Sequence, residues 1–191
     1  MDTSEQSIEG FWHWVRCNRT RLEIATRQPG PVVDDLDKRL RSIHPGLRVE
    51  VGSDLNGAYE LVISAEGDST LFPLVDAIID RSPTLPAWRF QALKPARGWE
   101  FTIDFEGVEL SPSDIWIRLH DIPSASTEVT VHPTCRAAIP EAHLLETIAL
   151  IIETGLGERL AAEIIQNMEI VDTRNDPSAQ GFVKLLTLAE F

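Results

Sequence analysis

The stretch TLPAWRFQALKP, Thr84 to Pro95, decides how the middle of the chain is read. Trp88, Phe90 and Ala92 alternate with Arg89, Gln91 and Leu93, the period of two that marks a strand. A second alternating run, Trp99 to Phe105, follows after Pro95 to Gly98. Closing the two runs as a hairpin on their apolar faces sets Trp88 across from Phe105, Phe90 from Ile103 and Ala92 from Phe101. The other face then pairs Arg89 with Asp104, a cross-strand ion pair contributing about 0.2–1 kcal/mol. On this reading Trp88 and Phe90 enter the core. Arg89 is either an ordinary outward residue or a guanidinium offered to a carboxylate or phosphate on an open sheet face.

Around that stretch the pattern alternates between periods. A helix is predicted from Ser4 to Asn18, with Ile8, Phe11, Trp12 and Val15 on one stripe. ATRQPGP breaks the chain, and Pro31 opens a second helix carrying Val33, Leu36, Leu40 and Ile43. Leu47, Val49 and Val51, then Tyr59, Leu61 and Ile63, form a hairpin with an Asn56-Gly57 turn signal. A helix spans Leu71 to Arg81. Strands follow over Ile115–Asp121 and Thr127–His132, with Val108–Leu110 continuing the Trp99 strand. Pro140 opens a helix to Thr154, capped by Gly155 in the left-handed conformation, and another runs from Glu158 to Asn167. MEIVD is a short strand. The apolar tail FVKLLTLAEF must dock or be left as an exposed patch. The order predicts an α+β fold: a largely antiparallel or mixed sheet of about five to seven strands, with helices packed mainly on one face. One domain over 1–191 is expected. It comprises an N-terminal helical pair (1–45), a sheet with one inserted helix (46–135), and C-terminal helices and tail (136–191).

A chain of 191 residues folds with roughly 70% of its surface buried, so neither metal nor disulfide is required to hold it. Cys17 and Cys135 belong to no CxxC or Cys/His spacing and read as reduced thiols. The acidic start MDTSEQSIEG lacks the basic segment and apolar run of a secretory signal, which points to the cytoplasm. The net charge of −13, from 30 acidic and 17 basic residues, repels phosphate backbones and anionic lipid. Nucleic acid and membrane are therefore poor partners, while a basic protein would be steered in.

No catalytic motif stands out. A hairpin over IPSAS, centred near Ser124, puts His120 opposite Glu128 and Trp116 opposite His132, with Arg118 on the same face. A histidine beside a carboxylate is the geometry of an oriented general base; the plainer reading is a polar outer sheet face. No nucleophile is fixed beside it, and the spacing is no metal signature. Glu50 and Glu60 fall across the first hairpin, where like charges would raise one pKa. SAEGDST, a strand-to-helix turn, lacks the Gly-rich, Lys-bearing pattern of a phosphate loop. Trp14 lies at the edge of the first helix's apolar stripe, either as an interface anchor or packed under the second helix.

Four segments, FWHWV (Phe11 to Val15), HPGLRVEVG (His44 to Gly52), ELVISAEG (Glu60 to Gly67) and SPTLPAWRFQALKP (Ser82 to Pro95), together resemble an uncharacterised bacterial protein family. The resemblance covers the first half of the chain, with weaker similarity around GLGERLAAEIIQNMEIVD. It implies one intracellular bacterial domain and transfers no site.

The expectation is therefore a non-catalytic, acidic protein-binding module without cofactor or metal, with a basic partner or a second copy of itself. An inhibitor or immunity-type role against a basic toxin fits the charge. The alternative is a small enzyme or ligand-binding protein with a pocket around His120, Glu128 and Arg118.

Overall fold

Ile8, Phe11, Trp12 and Val15 are all buried along helix α1 (Thr3–Cys17), as their spacing predicts. In the computed structural model the described residues are 3–28, 30–53, 57–119, 127–165, 167–173 and 176–190. The chain divides into two compact units, Met1–Lys94 and Pro95–Phe191.

In the first unit, Asn18 interrupts the helical path and a short helix α2 (Arg19–Ala25) buries Leu22 and Ala25. Nothing in its sequence announced it, because Ile24, its most apolar side chain, points outward at 60% exposure. Helix α3 (Pro31–Ile43) starts with proline in its first turn and buries Val32, Leu36 and Leu40. Strand β1 (Arg48–Ser53) pairs antiparallel with β2 (Tyr59–Ser64), with Val51 opposite Leu61. Helix α4 (Phe72–Ile79) then carries the chain over to β3 (Trp88–Ala92), which lies parallel to β2 with Phe90 in register with Leu61. A helical crossover of this kind is what a parallel neighbour requires. Helix α1 covers the Leu61/Phe90 face: the Trp12 and Phe90 ring centroids are 4.9 Å apart, and Trp12 Nε1 donates to the carbonyl of Ile78 at 2.8 Å.

This topology overturns the expected hairpin between Trp88–Lys94 and Trp99–Phe105. Strand β3 ends at Ala92; Leu93 takes φ 65° and donates its N–H back to Ile63 O at 2.8 Å. In the second unit, β4 (Ile103–Phe105) pairs with β5 (Val108–Leu110) around Glu106 and Gly107, both with positive φ. A two-residue turn with φ positive at both positions matches the twist of a hairpin, so this local closure wins over the longer one. Arg89 is therefore in register with Glu60, and Asp104 with Glu109. Among the described residues, three smaller sheets of three, two and four strands stand where one of five to seven was expected; the α+β class holds.

The four-stranded sheet has the order β8–β7–β6–β9. Strand β6 (Ile115–Leu119) is antiparallel to β7 (Thr127–Val131), with Ile117 opposite Val129. Helix α5 (Pro133–Ala138), absent from the sequence reading, follows β7 directly. Helix α6 (Glu141–Leu156) lays Leu144, Ile148, Ile151 and Ile152 into one core with Ile115, Ile117, Val129 and Val131. Gly155 is not the cap: it lies inside α6, and Gly157 at φ 82° ends the helix. Helix α7 (Glu158–Ile165) leads to β8 (Met168–Ile170), parallel to β7. The tail docks as expected: β9 (Val183–Lys184) joins the free side of β6, with Phe182 and Leu185 buried. No helix among the described residues is long and apolar enough to cross a membrane. Asn56 and His120 lie outside the described residues.

Candidate functional site

Alternation along β6 sends Ile115 and Ile117 into the core and turns Trp116 and Arg118 to the opposite face. Across the ladders that face gains Glu128 and Thr130 from β7, and Phe182 and Lys184 from the β9 segment. Arg118 stands opposite Glu128 and donates from Nε (2.7 Å) and Nη2 to Glu128 Oε2. Its Nη1 donates to Gln180 O at 2.6 Å, and its guanidinium carbon lies 4.5 Å from the Phe182 ring centroid. Next to it, Lys184 Nζ sits 3.4 Å from the Trp116 ring centroid and donates to Ser113 O. Both cations are thus held over aromatic faces, an arrangement favourable by about 0.5–1 kcal/mol at exposed sites.

The expected pairings shift by two residues. Trp116 faces Thr130 rather than His132, whose N–H instead donates to Asp114 O at 3.0 Å. An even slip leaves every side chain on its predicted face, and it brings Arg118, rather than His120, against Glu128. A fixed point below the strand accounts for it: Ser111 and Asp114 form a capping box just before β6, and the His132–Asp114 bond extends the ladder from there.

Beside these pairs runs a groove of about 680 Å³, with walls that include Trp116, Arg118, Leu119, Phe182, Val183 and Leu188. Leu119 and Val183 are half exposed on it, at 52% and 49%. The sequence reading named Trp116 and Arg118 but missed the wall supplied by the C-terminal tail. The available signal was the alternation of Phe182 and Lys184 about Val183, too short a run to claim as a strand.

The remaining candidates are dispersed. Arg89 is exposed at the edge of the first unit's sheet. Glu50 and Glu60 are not opposed: Glu50 pairs with Val62, and Glu60 with Gly52. Buried Glu60 accepts from Gln91 Nε2, while Glu50 lies 3.8 Å from Lys94 Nζ. Trp14 is half-buried under Arg39 of α3, whose guanidinium carbon is 5.1 Å from its ring centroid. Both cysteines are free; Cys17 is exposed and Cys135 buried. No group of three or more His, Cys, Asp or Glu among the described residues is placed to hold a metal ion. Comparison with protein-family models, curated proteins and solved structures found no match to this chain.

Proposed function

We propose that this chain is a non-catalytic, acidic protein-binding module of the bacterial cytoplasm that takes a basic partner. The observation that carries the reading is the coincidence of charge and groove. The second unit holds six Lys and Arg against sixteen Asp and Glu, a net −10 of the chain's −13. The apolar groove lies in that same unit. Its two cations are already engaged, Arg118 by Glu128 and Gln180, Lys184 by Ser113 and Trp116. Long-range attraction would bring in a basic protein, and Leu119 and Val183 would then pack against an apolar side chain of that protein. Inhibition of such a partner is compatible with this mode.

The second reading is a small-ligand or enzymatic pocket: the groove's volume lies within the usual range for small molecules, and of the residues expected around such a pocket Arg118 stands in its wall. Affinity capture at low and high salt, with wild type beside Leu119→Asp and Val183→Asp, separates the readings. Salt-sensitive retention of a basic protein, lost in both variants, is the expected result. A wild type that retains no protein at low salt overturns the binding-module reading.

A further inference from the structure

The first unit differs from the second in charge: it holds eleven of the chain's seventeen Lys and Arg, against fourteen acids. It also has its own groove, about 760 Å³, along the exposed side of α1. The walls include Gln6, Glu9, His13 and Arg16 from the helix and Arg81 and Pro83 from the segment after α4. The bond from Trp12 Nε1 to Ile78 O holds the end of α4 against α1 and so fixes the second wall. Arg81 is pinned there, its Nη1 donating to Ala77 O at 2.9 Å.

Arg16 has a different status. It is exposed in the last turn of α1 and forms no hydrogen bond or ion pair among the described residues. In a chain with thirty carboxylates, a guanidinium without an acid, sharing a groove with a second guanidinium and an imidazole, has donors available for an anion. Planar guanidinium forks suit phosphate oxygens and bind them bidentately. Glu9 precedes Arg16 by seven residues, about two helical turns or roughly 10 Å along the axis. The groove thus offers phosphate donors at Arg16 and carboxylate and amide acceptors at Glu9 and Gln6.

From this we infer that the α1 groove binds a small phosphomonoester bearing hydroxyl or amino groups, with its phosphate on Arg16, Arg81 and His13 and a hydroxyl or ammonium group toward Glu9 and Gln6. All its wall residues belong to the first unit, and the inference stands or falls independently of the proposed protein-binding groove of the second.

The test is titration of the full chain with glucose 6-phosphate, inorganic phosphate, glucose and citrate, followed by calorimetry and by amide shifts of α1. Arg16→Gln is the main variant, because its side chain holds no structural bond; Glu9→Gln is the second. Circular dichroism of each variant checks the fold. The expected result is saturable binding of glucose 6-phosphate with shifts centred on His13 and Arg16. Losing a charged bidentate contact in Arg16→Gln should weaken it by about tenfold. Inorganic phosphate binding more weakly than the ester, with the difference erased in Glu9→Gln, supports the two-ended arrangement. Inorganic phosphate binding as tightly as the ester overturns the ester assignment and makes the free ion the ligand. Binding of glucose or citrate at equal strength, no shifts in α1, or an unchanged affinity in Arg16→Gln overturns the phosphate site itself.

Discussion

Arg118 and Glu128 face each other one pair from the end of the β6–β7 ladder, with the Phe182 ring against the guanidinium. The side chains keep 32% and 18% of their surface, respectively, so the pair is neither fully screened nor deeply buried. A partly exposed pair with two donors on one oxygen is expected to contribute about 1 kcal/mol. A double-mutant cycle of Arg118→Met and Glu128→Gln in urea should return a coupling of that size. Arg118→Met should cost more than Glu128→Gln, since it also uncovers Phe182 and frees Gln180 O. Equal costs with no coupling would mean the pair is incidental to the site.

Two glycines in helices should respond to alanine in opposite directions. A Cβ on Gly155 would collide with the Trp99 ring, which lies against that turn of α6. The partly buried ring packs against the second unit's core and cannot give way without opening that contact, so Gly155→Ala should destabilise by about 1–3 kcal/mol. A Cβ on Gly10, in the middle of α1, meets nothing within 4 Å. Gly10→Ala should stabilise by roughly 0.5–1 kcal/mol through helix propensity and a less flexible unfolded chain. Thermal unfolding of both variants checks the pair of signs.

The reading of the sequence succeeded where one period ran long and failed where the choice was between partners. The stripe Ile8, Phe11, Trp12 and Val15 identified α1, and alternation put Trp116 and Arg118 on the outward face of β6. Alternation says which face a side chain takes but not which strand lies beside it. Trp88 and Phe90 were placed correctly while their neighbour was misassigned, because the βαβ crossover through α4 and the Glu106-Gly107 turn decide the partner. In the second unit the two-residue slip has the same origin: alternation is satisfied by either register, and the capping box of Ser111 and Asp114 before β6 and the Arg118–Glu128 pair both go with the observed one. The helices α2 and α5 are short segments held by tertiary contacts, below the length at which periodicity speaks. Most of the groove's wall comes from a tail whose two-residue strand pairs with the open edge of β6.

Acid sensitivity should be traceable to the turn before α4. Asp68 accepts from the hydroxyl of Thr70 at 2.6 Å and from its N–H at 3.0 Å. These bonds, the hydroxyl first, hold its carboxyl below the ordinary 3.8. A carboxyl lowered in the folded state stabilises it fully above the unfolded value; that contribution disappears as pH falls through the folded value. Asp176, which accepts from the hydroxyl and N–H of Ser178, has the same sign. Asp68→Asn keeps a side-chain cap but removes the titration. Its melting temperature relative to wild type should be lower at neutral pH, and the gap should close as pH drops below about 3.8. A gap constant with pH would show that the Thr70 bonds do not favour the carboxylate.

The two thiols should separate cleanly in reactivity. The thiolate is the nucleophile in disulfide exchange, so both access and pKa set the rate. Cys17 is exposed at the end of α1, with its sulfur 3.6 Å from His13 Nε2. Cys135 is buried in α5, and burial, reinforced by the charge of Asp114, pushes its thiol above the ordinary 9.0. An aromatic disulfide reagent at mildly alkaline pH should therefore modify one thiol rapidly in the native protein. The second should react only as the core around Cys135 opens, at a rate that rises with denaturant. Cys17→Ser should remove the fast phase and leave the slow one unchanged. Two fast phases in the native state would mean that α5 does not stay closed over the Glu109 carbonyl that Cys135 contacts at 3.8 Å. The covering of the second unit's core by α5 would then have to be abandoned.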